Sequence, residues 1–147
     1  DALPPQIKSL NYLCNILAKL DANRQGAAEA VFLNHMGYVA EATADNLFIV
    51  SRGVVITPPV NDGALPGITR EAVLELAATL GIPSREDHVS LTDLFNADEC
   101  FLTGTAARVV PVAVIDGRTI GAGVRGPITT RLMEAFIRLT ETDGVLI

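Results

Sequence analysis

Leu10, Leu13, Cys14, Leu17 and Leu20 recur at three- and four-residue steps, which predicts an amphipathic helix that ends near Gly26. The pattern then changes period. Glu29–Asn34 and Gly37–Thr43 read as two strands around a tight turn at His35-Met36-Gly37, and Asn46–Val50 pairs with Val54–Thr57 around Arg52-Gly53. Pro58 and Pro59 stop the sheet pattern, and Val60 to Ile68, with two glycines and Pro66, reads as a loop. Thr69 is expected to cap a helix through Val73, Leu76, Ala77 and Leu80, closed by Gly81, and Ser90 to start a short helix over Leu91 to Asn96. Glu99–Thr103 and Val109–Ile115 are predicted strands, Asp116-Gly117 signals a hairpin, and Pro127 opens a last helix carrying Leu132, Phe136 and Leu139. Strands outnumber helices and arrive mostly as hairpins. The expected fold is therefore α+β, a mostly antiparallel sheet with helices packed outside it.

Composition narrows the function. With 147 residues the chain is long enough for one domain with a real core, and no internal linker or repeat breaks it. A net charge of −6 argues against nucleic acid or an anionic membrane as main partner, and the absence of Trp argues against base stacking. Cys14 and Cys100 lack CxxC spacing, which predicts reduced thiols and a cytoplasmic protein. No signal peptide or spanning apolar run is present. His35 and His88 stand far apart, with no carboxylate or cysteine at ligand spacing, so no metal is expected; no G-x-S-x-G supports a serine hydrolase.

Four segments can carry chemistry. Lys8 is one of only two lysines, Lys19 being the other, and it lies between a proline-stiffened lead-in and the first helix. An amine at such a boundary can be aimed at a carbonyl and its pKa lowered by desolvation. Glu41 interrupts a strand of small and apolar residues whose alanines leave room for a flat ligand, and its carboxylate can hold a ring nitrogen protonated. Leu65-Pro66-Gly67-Ile68-Thr69-Arg70 is a glycine-bearing loop opening a helix, a place where free N–H groups and a hydroxyl suit a phosphate. Thr103-Gly104-Thr105-Ala106-Ala107 is a turn of small residues able to form a nest of N–H donors for an anion.

Together with Thr57-Pro58-Pro59, and with Lys-Ser-Leu-Asn-Tyr at 8–12 and Gly-Tyr-Val-Ala-Glu-Ala-x-x-x-Asn-Leu-Phe at 37–48, these segments stand in one order along nearly the whole chain. In that order and spacing the sequence resembles the class IV aminotransferases of fold type IV, which use pyridoxal 5′-phosphate. Within them it most resembles the branched-chain amino acid aminotransferases, through Thr-Pro-Pro, Asp98-Glu-Cys-Phe-Leu-Thr-Gly-Thr-Ala-Ala107 and the Gly-Pro-Ile-Thr start of the last helix. The resemblance implies the sheet or pseudo-barrel of the family's large domain. It implies Lys8 as the imine-forming lysine, Glu41 on the pyridine nitrogen, Tyr12 on the phenolic oxygen and Leu65 against the ring. It further implies Gly67, Ile68, Thr69 and Thr105 on the phosphate, and Ala106 and Ala107 on the substrate carboxylate. The implied substrates are branched-chain L-amino acids and 2-oxoglutarate, and the implied assembly is a homodimer.

The chain departs from the family pattern at Ala40, where a hydroxyl residue is frequent, and at Arg108, where branched-chain members often carry Glu. Residues 1–147 correspond to the large, lysine-bearing C-terminal domain, and the family's smaller N-terminal domain is expected to be absent from this chain. The alternatives are an aminodeoxychorismate lyase or D-amino acid aminotransferase of the same fold, and a catalytically incomplete fragment.

Overall fold

A computed structural model describes residues 7–142. In chain order the elements are α1 (Leu13–Arg24), β1 (Val31–Leu33), β2 (Val39–Ala42), β3 (Asn46–Ser51), β4 (Val54–Thr57), a 3₁₀ turn (Val60–Asp62) and α2 (Ile68–Thr79). They continue as β5 (Ser84–Glu86), α3 (Leu91–Phe95), β6 (Glu99–Gly104), β7 (Arg108–Val112), β8 (Val114–Ile115), β9 (Arg118–Thr119) and α4 (Pro127–Thr142).

The central sheet has five strands in the order β5-β4-β3-β6-β7, with β3 in the middle. Ile49 pairs with Ile56 on β4 and with Cys100 on β6, both antiparallel; only β4 and β5 run parallel. The run Asn46-Leu-Phe-Ile-Val is buried throughout because the sheet carries a core on each face. Leu47, Ile49, Ile56, Cys100 and Leu102 pack against Val39 and Ala42 of β2 and Leu94 of α3. Phe48, Val50, Val55 and Phe101 pack against Val73 and Ala77 of α2 and Leu132 and Phe136 of α4. Phe48 and Phe101 stack at 4.9 Å, and truncating either to Ala is expected to cost about 3–5 kcal/mol.

The predicted α+β class holds, with the sheet open rather than closed into a barrel. β5 and β7 are its edges, while β1-β2 and β8-β9 form separate two-stranded sheets. Helices α2 and α4 cover one face; the β1-β2 hairpin and α3 contribute to the other.

Three further expectations are corrected. Thr69 does not cap α2: Gly67 is the N-cap, and Thr69 is buried in the first turn. The predicted strand 109–115 divides into β7 and β8 at Ala113, whose carbonyl accepts the Ile120 N–H. The apolar stripe of α1 does not reach the core, since Leu13, Ile16, Leu17 and Leu20 are exposed and only Ala22 is buried. The helix is held instead by polar contacts. Asn15 Nδ2 donates to the Thr43 carbonyl at 2.7 Å, and Lys19 Nζ meets Glu29 Oε2 at 3.0 Å.

Candidate active site

A cavity of about 580 Å³ opens between the lead-in to α1, the β1-β2 hairpin, the start of β3 and the loop before α2. Its walls include Lys8, Tyr12, Glu41 and Leu65, so four of the predicted site residues share one space. That volume lies within the range of small-molecule sites.

Glu41 lies on β2 between the buried alanines 40 and 42. Its Oε2 accepts the Leu65 backbone N–H at 2.8 Å and the Asn46 Nδ2 at 3.4 Å. Burial raises the carboxyl pKa above the ordinary glutamate value; the Leu65 hydrogen bond and the Lys8 charge act against that rise, and Asp45 adds to it. Tyr12, the residue before α1, has its phenol pKa raised by burial and by the carboxylates of Glu41, Asp45 and Glu29. It therefore remains a hydrogen-bond donor at neutral pH.

Leu65 is gripped on both sides of its backbone. Its N–H goes to Glu41, and its carbonyl accepts Asn46 Nδ2 at 2.8 Å. The same Asn46 side chain lies against Gly67, where a Cβ would collide with Oδ1. Gly67 is thus required for close approach, its φ of −76° being open to any residue. No side chain caps α2, so the N–H groups of its first turn remain available to an anion, beside buried Thr69.

Gly67, Ile68, Thr69, Thr105, Ala106 and Ala107 do not line the cavity itself. Gly67 meets its wall through Asn46. Asn46 holds the Gly67 loop on one side and pairs with Thr103 of β6 on the other. Asp45, which does line the cavity, presses on Gly104 closely enough to exclude any Cβ there. Thr103 Oγ1 is buried and has no hydrogen-bond partner among the described residues. Ile68, Thr105 and Ala106 are exposed.

The sequence shows Asn46 as a motif position and the first residue of a strand, with no signal that its side chain clamps the site. Sequence reasoning also missed the pairing of His88 Nδ1 with buried Asp62 at 2.7 Å, because these residues are remote in sequence. Among the described residues no group of three or more His, Cys, Asp or Glu side chains could hold a metal.

An amine, a half-buried acid and a phenol share the wall of one cavity beside an uncapped helix start. The sequence profile of class IV amino-transferases matches residues 1–115. A relative in Methanocaldococcus jannaschii is 52% identical over 145 residues, which are 99% of this chain and 50% of the relative. The branched-chain amino acid aminotransferase structure from Escherichia coli superposes with a TM-score of 0.92 at 44% identity, covering 95% of this chain and 48% of that one. The pyridoxal-phosphate form of the Thermobaculum terrenum branched-chain amino acid aminotransferase gives 0.91 at 41%, covering 94% and 46%. The chain belongs to the class IV aminotransferase family. It is similar to branched-chain amino acid aminotransferases in particular, and it spans about half the length of the relatives it matches.

Proposed function

We infer that this chain is the lysine-bearing large domain of a pyridoxal-phosphate aminotransferase acting between branched-chain L-amino acids and 2-oxoglutarate. The observation that carries the reading is the single cavity shared by Lys8, Glu41 and Tyr12. The donor set fits the cofactor: an amine for an aldehyde, a carboxylate for a ring nitrogen, a phenol for an anionic oxygen, and an uncapped helix start for a phosphate.

When bound, pyridoxal phosphate supplies an aldehyde that takes up amines and a ring that withdraws electrons from the substrate Cα. Lys8 would hold the aldehyde through its ε-amine, and the same amine would move the proton at the substrate Cα. Glu41, kept in place by Leu65 and Asn46, holds a positive charge on the ring nitrogen. Tyr12 would donate to the phenolic oxygen, and Leu65 would contact the ring. Gly67, Ile68, Thr69 and Thr105 bind the phosphate through N–H groups and hydroxyls. Ala106 and Ala107 would offer their N–H groups to the substrate carboxylate.

The family's smaller domain is assigned to polypeptide outside this chain, in keeping with the half-length coverage of the relatives and the uncovered apolar stripe of α1. A cytoplasmic homodimer is the assembly proposed. No helix among the described residues is long and apolar enough to cross a membrane.

The test is to incubate the chain with pyridoxal phosphate, fix it with borohydride and map the modified peptide. Modification at Lys8, absent in Lys8→Ala, supports the reading; modification only at Lys19, or none in wild type, refutes it. In the natural full-length protein, amino transfer from leucine, isoleucine or valine to 2-oxoglutarate is expected. Pyruvate released without an acceptor would instead identify a lyase.

A further inference from the structure

We propose that Asp62, His88 and Tyr38 form a positioning latch that holds Leu65 at the candidate site. The proposal rests on the cofactor reading for its purpose, but its geometry stands independently.

Asp62 ends the 3₁₀ turn before the site loop, and its side chain is 2% exposed. A carboxylate buried to that degree needs a partner. His88 Nδ1, 2.7 Å from Asp62 Oδ2, is that partner, with the imidazole N–H as the donor in the latch. Three residues after Asp62 comes Leu65, whose N–H reaches Glu41. The intervening segment is short and constrained. Gly63 has a φ of 108° and donates to the Val60 carbonyl, while Ala64 is buried.

His88 is itself fixed from the other side. Its ring stacks on Tyr38 with centroids 4.8 Å apart, and Tyr38 bridges to Ser90. The next residue, Val39, donates to the Val89 carbonyl at 2.8 Å and begins β2, the strand that carries Glu41. The site loop is therefore joined to the two ends of one short strand: through Asp62, His88 and Tyr38 at its start, and through Leu65 and Glu41 near its end. Releasing the first joint leaves Leu65 with its bonds to Glu41 and Asn46 and removes the side-chain tie on the turn before it. Asp62 and Gly63 also line the cavity, so this movement would reshape the wall facing the cofactor.

Two substitutions in the full chain separate the hydrogen bond from simple ring packing. His88→Phe keeps a ring over Tyr38 and removes the donor. His88→Asn removes the ring and leaves an amide N–H close to the former Nδ1 position. The readouts are hydrogen exchange at the Leu65 amide, with β3 amides as the control for global opening, and pyridoxal-phosphate affinity. His88→Phe is expected to speed Leu65 exchange by about tenfold or more and to weaken cofactor binding by a similar factor. His88→Asn should keep both within about threefold of wild type. Should His88→Phe not fold, Asp62→Ala removes the acceptor without leaving a buried charge and is expected to give the same acceleration. Unchanged Leu65 exchange in the donor-less variant, or equal loss with Asn, overturns the latch. If wild type binds no cofactor but the exchange pattern appears, the latch stands and the cofactor reading fails. If cofactor binds and exchange does not respond, the latch alone fails.

Discussion

The backbone N–H of Leu65 donates to Glu41 Oε2 at 2.8 Å, joining a loop residue to an acid 24 positions earlier in the chain. Burial raises the Glu41 pKa, so the native state binds this proton more tightly than the unfolded chain does. The stability associated with it is complete below the usual glutamate value of 4.5 and is lost as pH rises through the raised value. Glu41→Gln keeps an oxygen acceptor for Leu65 and has no charge to bury. Its urea midpoint should gain on wild type between pH 4 and pH 8 and show no gain at pH 3.5, while its hold on pyridoxal phosphate weakens. A midpoint difference independent of pH would show that the charge is not what burial penalises.

Gly67→Ala places a methyl group into Asn46 Oδ1. The amide must move, loosening its bond to the Leu65 carbonyl. A loss of about 1–3 kcal/mol is expected, the scale of a forced overpacking, with secondary structure kept and cofactor affinity reduced. Thermal melts and a cofactor titration on the same preparation check both parts.

Glu99 is a structural acid. Its two carboxylate oxygens accept the Ile128 and Thr129 N–H groups at 3.0 and 2.7 Å, closing the start of α4. Glu99→Ala should lower stability by about 2–3 kcal/mol, since hydrogen bonds to charged groups are the stronger ones, and Glu99→Gln should fall between it and wild type. Equilibrium unfolding in urea gives the numbers. Cofactor binding by the folded fraction should not change.

The two thiols are expected to separate cleanly under alkylation. Cys14 is exposed, whereas Cys100 is buried and its pKa is pushed up to about 12 by desolvation. Iodoacetamide at pH 8 should add one equivalent to the native protein, at Cys14, and a second only after unfolding. Mass spectrometry reads the result directly.

Much of this was legible in the chain because local signals agreed with the final environment. β4 was predicted at its observed bounds, and Ser90 heads α3 as a capping box with Asp93, as its side chain suggested. Pro127 opens α4 for the reason prolines open helices. Failures came where the deciding contact is remote. β5, Ser84-Arg-Glu86, is short, polar and at a sheet edge, and it becomes a strand only by lying parallel to β4. The stripe on α1 had the right period, but period cannot say whether a partner surface exists. In the site, the motifs pointed to Lys8, Tyr12, Glu41 and Leu65 sharing a cavity. They included Asn46 without a role for its side chain, which works 19 residues away, and they did not point to the Asp62–His88 pair, separated by 26.

Asn46 belongs to the central strand, paired directly with β6 and continuous with the most deeply packed residues of the molecule. The acid-bearing half of the site thereby inherits the rigidity of that strand. The amine-bearing half depends on a helix fastened by the Asn15 amide and by Lys19, whose ammonium reaches Glu29 and the Ala28 carbonyl. Under gentle heating the two halves should part company well before the domain melts, with Lys8 moving away while Glu41 keeps its place.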